Sequence, residues 1–171
     1  NHFKAVKEAE KELADEIEFY RFQQYCFTTQ WRKLKTYANK KGISIIGDVP
    51  IYVALDSSDA WANPEMLQFD EDYNPKAVAG CPPDAFSATG QLWGNPLYDW
   101  KALKKDGYGW WVQRMTHCLE LYDVVRIDHF RGFDEYYAIP YGDKTAERGK
   151  WEKGSGMDLF HTLDKKIKDL R

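Results

Sequence analysis

Apolar residues recur at three- and four-residue steps through the first forty residues of the chain. Leu13, Ile17 and Tyr20 begin this stripe, and Leu34 continues it. A stripe with this spacing predicts amphipathic helix. Two lysines and Gly42 follow, which is the usual composition of a helix C-terminus, with Gly42 as the C′ residue.

Two short β-branched runs predict strands. The run Ile43–Ile46 leads to Asp48, and Pro50 ends the strand. The second run, in VVRIDHFRGF, predicts a strand over Asp123–Asp128, in which Arg126 is the first charge after the apolar start. Continuous runs of this kind are typical of strands covered on both faces, as in parallel sheets.

The segments around these strands are less regular. Residues 50–98 hold six of the seven prolines and show little periodicity, apart from possible helical turns near SSDAWANPEML. We therefore expect a long irregular loop there, which in a compact domain is usually functional. A helix is expected over Tyr108–Tyr122, a second loop over GFDEYYAIPYGDKTAERGKWEKGSG, and a final helix from about Met157.

This alternation of helices and strands predicts an α/β fold with parallel strands. Each strand carries a carboxylate at its C-terminal end, the position of catalytic residues in β/α barrels. Such a barrel needs eight strands and about 250 residues, whereas two strands are clear here. We therefore expect residues 1–171 to form one partial barrel domain. The chain also starts without Met and begins and ends inside helical patterns, as an excised segment would.

Composition narrows the function classes. The net charge is −3 and the 24 basic residues are scattered, unlike the basic face of a nucleic-acid-binding protein. No membrane-length apolar run or signal peptide is visible. Three widely spaced cysteines argue against a disulfide framework and favour a cytoplasmic protein. Without a P-loop, GxGxxG, HExxH or GxSxG motif, we expect no cofactor, no metal and no serine-hydrolase chemistry.

The charges at the strand ends have two interpretations. Arg126 and Asp128 are two residues apart, so they share a face of the strand. A neighbouring guanidinium would keep Asp128 ionised and oriented, as a covalent nucleophile for sugar chemistry requires. A structural ion pair between strand and helix is the simpler explanation of so short a motif. Asp48 either binds sugar hydroxyls or caps the turn before Pro50, and His129 is either a hydrogen-bond donor to substrate or structural.

Aromatic residues make up 16% of the chain, and many fall in or beside the irregular stretch. Aromatic faces stack on the C–H surface of sugar rings, while carboxylates and amides bind the hydroxyls. The segment PPDAFSATGQLWGNPLY offers both kinds of group. Most of these aromatics are expected to form a small core for the loop, with Phe86 and Trp93 as the candidate sugar contacts.

Three motifs together resemble one known family. IIGDVPIYVALDSSDAWANPEMLQFD, VAGCPPDAFSATGQLWGNPLY and VVRIDHFRGFDEYY are similar, in this order and spacing, to the amylomaltase family of 4-alpha-glucanotransferases, in the α-amylase clan. The preceding QYCFTTQWRKLKTYANKKGISIIGD also resembles the family's approach to its third barrel strand. The resemblance covers the chain from about Tyr20, and three long motifs in series are far more specific than one.

The resemblance implies a segment of a (β/α)8 barrel around strands three and four. It implies that Asp128 is the nucleophile, that Arg126 holds it, and that Asp48 binds sugar hydroxyls. GQLWGNPLY resembles the family's mobile active-site loop. The positions matching glucan-binding residues of the family are Asp84, Phe86, Gln91, Trp93 and His129.

The resemblance also implies what the segment lacks. In the family, the general acid/base glutamate and a third catalytic aspartate follow the position of Arg171. We therefore expect the full-length protein to transfer α-1,4-glucan units between maltooligosaccharides, and this chain alone to be inactive. It would need the remainder of the barrel, and neither nucleic acid nor a membrane. An α-glucan hydrolase on the same barrel and a non-catalytic glucan-binding module are the alternatives.

Overall fold

The computed structural model of the chain describes residues 2–168. It confirms the helices expected over the first forty residues, over 108–122 and from Met157. Two 3-10 turns, Pro64–Met66 and Phe130–Phe133, accompany the α-helices. The α-helices are α1 His2–Glu12, α2 Ala14–Lys40, α3 Ser58–Ala62, α4 Trp100–Lys105, α5 Gly109–Leu121 and α6 Met157–Lys166.

The strands form two sheets, so the described part of the chain is a mixed α/β structure. β1 (Ile46–Pro50) and β4 (Val124–Asp128) are neighbours in a two-stranded sheet. The other four strands form an antiparallel sheet in the order β3-β2-β5-β6. These strands are β2 Ala77–Cys81, β3 Gln91–Pro96, β5 Glu135–Pro140 and β6 Lys150–Lys153.

The first of two compact units contains the described residues up to Gly47 together with Glu120–Val124. Its long helix α2 ends as expected, with Gly42 in the left-handed region at φ 75°. The indole nitrogen of Trp31 donates to the Leu121 carbonyl at 2.8 Å, which ties α2 to the segment before β4. No residue of α2 is buried, so its apolar stripe does not build a core within this unit.

The second unit contains Asp48–Leu119 and the described residues from Val125 onward. Its core is strongly aromatic. Trp111 is fully buried, with its ring centroid 5.2 Å from that of Phe133 and 5.5 Å from that of Tyr98. The Tyr98 hydroxyl donates to the Ile51 carbonyl at 2.8 Å, so this buried polar group is satisfied. Tyr98 and Trp100 thus confirm that aromatics of the irregular stretch serve a core.

The prediction of a strand at Ile43–Ile46 was wrong about where the strand begins. β1 begins only at Ile46, although it does end at Pro50. The backbone before Ile46 forms hydrogen bonds with side chains. The Asp123 carboxylate accepts from Ile45 N at 2.8 Å, and the Asn39 amide donates to the Ile43 carbonyl at 3.0 Å. These side-chain hydrogen bonds take the place of a strand ladder at Ile43 and Ile45.

The expectation that both strands are covered on two faces was also wrong for the described chain. Ile46 is 68% exposed and Val124 is 50% exposed. β1 alternates exposed and buried residues, and β4 alternates exposed and half-buried ones. A two-stranded sheet offers few neighbours, so its strands stay open to solvent.

Both segments predicted as loops contain strands of the antiparallel sheet. Residues 50–98 hold β2 and β3 as well as α3, and the segment after β4 holds β5 and β6. β2 is rich in small residues (AVAGC), and β3 (QLWGNP) ends in residues that normally mark turns. Neither has the alternating apolar pattern of an ordinary strand; β2 is held between β3 and β5, and β3 pairs with β2. No closed barrel forms among residues 2–168.

Candidate active site

Two carboxylates share one guanidinium at the paired strands β1 and β4. Arg126 Nη1 donates to both carboxylate oxygens of Asp48, at 2.7 Å each, and Arg126 Nη2 donates to Asp128 Oδ1 at 2.9 Å. These hydrogen bonds, first that with Asp48 and then that with Asp128, raise the pKa of the Arg126 guanidinium. The sequence-predicted residues Asp48, Arg126 and Asp128 therefore form one cluster.

The cluster faces solvent. The side chains of Asp48, Arg126 and Asp128 are 62%, 58% and 58% exposed, so the costly burial of charge suggested by the sequence does not occur in this chain. Arg126 and Asp128 lie on the same face of β4, as their spacing requires. An open, charged strand end of this kind is accessible to a ligand.

The two carboxylates are held differently. Arg126 engages both oxygens of Asp48 but only Oδ1 of Asp128. Within residues 2–168, Asp128 Oδ2 accepts no hydrogen bond, so it is the oxygen available to attack an electrophile. A guanidinium that donates a hydrogen bond to a carboxylate fixes the orientation of that carboxylate. The geometry thus fits Asp128 as a nucleophile and Asp48 as part of its support.

His129 follows Asp128 in an unusual conformation. Its φ and ψ are 52° and 45°, in the left-handed region that few residues other than glycine adopt. Its Nε2 is buried without a hydrogen-bond partner among the described residues. Burial lowers the pKa of the imidazole, Asp128 opposes this, and Arg131 adds to it. His129 is therefore a neutral ring near pH 7, held directly beside the nucleophile candidate.

Trp93 packs against His129 and so brings the motif VAGCPPDAFSATGQLWGNPLY into contact with the motif VVRIDHFRGFDEYY. The two ring centroids are 4.8 Å apart and the rings meet edge-on at 88°. The Trp93 indole nitrogen donates to Gln91 Oε1 at 3.0 Å. Gln91, Trp93 and His129, predicted separately, thus form one group next to Asp128.

Asp84 and Phe86 occupy the loop between β2 and β3. Asp84 Oδ1 accepts from the backbone N–H groups of Phe86 and Ser87, each at 2.8 Å, which builds a tight turn. This turn leaves Phe86 99% exposed. No hydrogen bond, ion pair or ring contact in the described structure joins Asp84 or Phe86 to the cluster around Arg126. Their assignment as substrate contacts remains a prediction.

Tyr52 was not among the residues predicted from the sequence. This residue is 7% exposed, and its ring lies 6.4 Å from Trp93, 6.2 Å from His129 and 6.1 Å from Tyr98. Burial, followed by the influence of Tyr136 and Cys81, raises the pKa of its hydroxyl. Its position in the sequence could have identified it. Tyr52 lies just past the C-terminal end of β1 and four residues after Asp48, so its ring can reach the same site.

Two other kinds of functional feature are absent from the described residues. Residues 2–168 contain no group of three or more His, Cys, Asp or Glu side chains arranged to hold a metal ion. None of the helices that the structure describes has the length and apolarity to cross a membrane. The carboxylate cluster and the aromatic group beside it are therefore the main chemical features.

Comparisons with known proteins identify the family. A family profile described as 4-alpha-glucanotransferase matches residues 1–171. A 4-alpha-glucanotransferase from Clostridium butyricum is 53% identical over 166 residues, which are 96% of this chain and 34% of that protein. One from Thermus thermophilus is 50% identical over 160 residues, covering 94% of this chain and 32% of that protein.

Structural comparison agrees. The amylomaltase from Streptococcus agalactiae, solved in complex with acarbose, superposes with a TM-score of 0.93 and 44% identity. The match covers 98% of this chain and 34% of that structure. The chain therefore spans about a third of the length of the relatives it matches. With a family profile over its full length and relatives near half identity, the chain belongs to the 4-alpha-glucanotransferase family.

Proposed function

We propose that the protein containing this segment transfers α-1,4-glucan units between maltooligosaccharides, with Asp128 as the nucleophile. The observation behind this proposal is that Arg126 holds Asp128 through only one of its two carboxylate oxygens. Asp128 is oriented through Oδ1 by Arg126, while its second oxygen stays free on an exposed strand end. Membership in the 4-alpha-glucanotransferase family supplies the reaction class.

The reaction has two displacements at one carbon. Asp128 Oδ2 attacks the anomeric carbon of the donor, the glycosidic C–O bond breaks, and the leaving oxygen takes a proton from a carboxylic acid. The 4-hydroxyl of a second glucan then attacks the same carbon, gives its proton to the resulting carboxylate, and releases Asp128. Two inversions retain the α configuration. By the resemblance to the family, we propose that the proton donor is a glutamate that follows the position of Arg171.

Asp48 and Arg126 hold the nucleophile ready for this step. Arg126 Nη1 donates to both oxygens of Asp48, which fixes the guanidinium, and Nη2 of the same guanidinium fixes Asp128. We propose that Asp48 and His129 also form hydrogen bonds with sugar hydroxyls. Removing the charge of Asp48 should therefore weaken both the orientation of the site and its affinity for glucan.

The aromatic loop gives a physical reason for transfer instead of hydrolysis. Water must be excluded while an acceptor sugar is held near the intermediate. Trp93, packed on His129, and Phe86, fully exposed at its turn, offer apolar surface for this purpose. We propose that both contact the acceptor glucan, with Gln91 and Asp84 binding hydroxyls.

We further propose that β1 and β4 are two strands of a (β/α)8 barrel that the rest of the protein completes. The open faces of both strands and the unburied apolar stripe of α2 support this. The strands of a parallel barrel are covered by helices, so the complete barrel would bury these apolar surfaces.

We also propose a cytoplasmic location. The free thiols Cys26, Cys81 and Cys118 support it.

The test is maltotriose disproportionation by the full-length protein, with products separated by chromatography. We expect glucose together with a ladder of longer maltooligosaccharides. Asp128→Asn should reduce the rate by roughly 1,000-fold or more, because it removes the covalent intermediate. Glucose and maltose without longer products would instead support a hydrolase, and binding without turnover would support a glucan-binding module.

A further inference from the structure

A second cleft lies in the same compact unit, away from the residues around Arg126. It runs between the Pro64–Met66 turn, the end of α4 and the start of α5, and it encloses about 370 Å³. This volume falls in the range of small-molecule sites, about 300–1,000 Å³. Buried Met66 and half-buried Trp110 form its apolar part. None of its lining residues belongs to the proposed catalytic cluster.

Hydrogen bonds fix the walls of this cleft. The backbone N–H and side-chain amide of Asn63 donate to the Asp59 carbonyl at 3.0 and 3.3 Å, and the Trp110 indole nitrogen donates to Asp59 Oδ1 at 3.1 Å. Asp106 Oδ2 accepts from Gly109 N at 3.1 Å, which caps the start of α5. The cleft is thus preformed, and binding would order little backbone.

The rim of the cleft offers unused hydrogen-bonding groups. Glu65 and Gln113 are exposed and have no hydrogen-bond or ion-pair partner among residues 2–168. Asn63 Oδ1 and Asp106 Oδ1 likewise accept no hydrogen bond from the described residues. These groups are mainly acceptors, and no Lys, Arg or His lines the cleft. The ligand must therefore donate several hydrogen bonds and carry no negative charge.

We propose that this cleft is a second glucan-binding site, which takes a short segment of an α-glucan. A sugar supplies hydroxyl donors for the rim and a C–H face for Trp110, and it is uncharged. The inference rests on the proposed function, because that function supplies the glucan. A long glucan held here would keep its remaining chain at high effective concentration near Asp128, whereas a trisaccharide would gain nothing from a second site.

The test compares short and long substrates on the full-length protein. The double variant Glu65→Ala, Gln113→Ala removes two rim groups without touching the hydrogen bonds that build the walls. We expect its kcat/KM for maltotriose to stay within twofold of the parent and its KM for amylose to rise at least roughly fivefold. Glu71→Ala, an exposed carboxylate outside the cleft, is the matched control and should leave both values unchanged.

A direct measurement accompanies the kinetics. Hydrogen exchange of the Asp128→Asn protein with and without maltohexaose should show slower exchange in 102–113, and the double variant should lose this protection. Equal KM values for amylose in the parent and the double variant, or protection of 102–113 by spermidine but not by maltohexaose, would overturn the proposal. Absence of maltotriose transfer by the unmodified protein would instead refute the proposed function, so the two failures are distinguishable.

Discussion

Gly80 allows the backbone of β3 to approach β2, and replacing it should damage the site through that strand. Gly80 pairs with Leu92 of β3 on one side and with Tyr137 of β5 on the other. A methyl group at this position would lie 2.1 Å from the backbone oxygen of Gln91 and 2.5 Å from Ile139 Cδ1. Ile139 is fully buried, and the Gln91 carbonyl belongs to a paired strand. Neither neighbour can yield by rotating a flexible side chain into solvent.

The displacement that Gly80→Ala requires can be estimated. Ordinary contact between non-bonded heavy atoms begins near 3.5 Å, so the 2.1 Å approach demands a movement of roughly 1.4 Å at Gln91. Trp93, two residues further along β3, packs on His129. Overpacking of this kind costs about 1–3 kcal/mol of stability. Misplacement by about 1 Å can lower a catalytic rate by about 100-fold.

We therefore expect Gly80→Ala to lower maltotriose transfer by the full-length protein between about 10- and 100-fold while the urea midpoint falls modestly. Gly109→Ala is the control, because the atom nearest to its added methyl group, 2.7 Å away, is a side-chain oxygen of Asp106. That carboxylate can rotate, so transfer should stay within twofold. A Gly80→Ala protein with the parent's rate would refute the reasoning, since β3 would then relax without moving Trp93.

Two further expectations concern residues near Asp128, the proposed nucleophile. Phe86→Ala or Trp93→Ala in the full-length protein should raise the ratio of hydrolysis to transfer, measured on maltoheptaose as new reducing ends, which only hydrolysis creates, against longer maltooligosaccharides, which only transfer creates; an unchanged ratio would count against the acceptor role. His129→Asn should flatten the acid sensitivity of stability. Burial lowers the folded-state pKa of His129 below its ordinary value of 6.5, so its contribution is complete above pH 6.5 and is lost as the unfolded chain takes up the proton at lower pH. Urea midpoints at pH 7.5 and 5.5 should therefore differ less in the variant than in the parent.

The convergence of Asp48, Arg126 and Asp128 could be predicted because strand ends are strongly encoded. Each β-branched run is followed by a carboxylate, and the two-residue spacing of Arg126 and Asp128 fixes a common face. The helix α5 was equally predictable, since Trp111 and Met115 mark its buried face. Local sequence carries these features, and the structure confirms them.

The antiparallel sheet could not be predicted because its information is non-local. Ala77, Ala79 and Gly80 have low strand propensity, yet they pair with β5 more than fifty residues later. Small residues are needed in β2 because the neighbouring strands lie close to it, as the contacts expected of a methyl group at Gly80 show. Tyr52 was missed for a related reason: its contacts with Trp93 and His129 join three separate segments.

The question that remains for the chemistry is the source of the proton. A glycosidic oxygen leaves readily only if an acid protonates it, and that acid must be neutral before the step. Asp48 and Asp128 both accept hydrogen bonds from Arg126, so both are already engaged with a cation. Glu135 is no better suited, because its hydrogen bond to Lys153 at 2.8 Å, the charge of Lys153 and then that of Arg131 lower its pKa. None of these three carboxylates is placed to serve as the acid.

The 171-residue chain alone should therefore show no maltotriose transfer, even when circular dichroism shows the helices to be formed. Turnover by the isolated chain that disappears in Asp128→Asn would refute this expectation, because it would require an acid within the segment. The structural reason is that Arg126 holds both Asp48 and Asp128 as hydrogen-bond acceptors. A double displacement needs a neutral acid as well as a nucleophile, so we propose that the acid comes from a part of the fold that Arg126 does not reach.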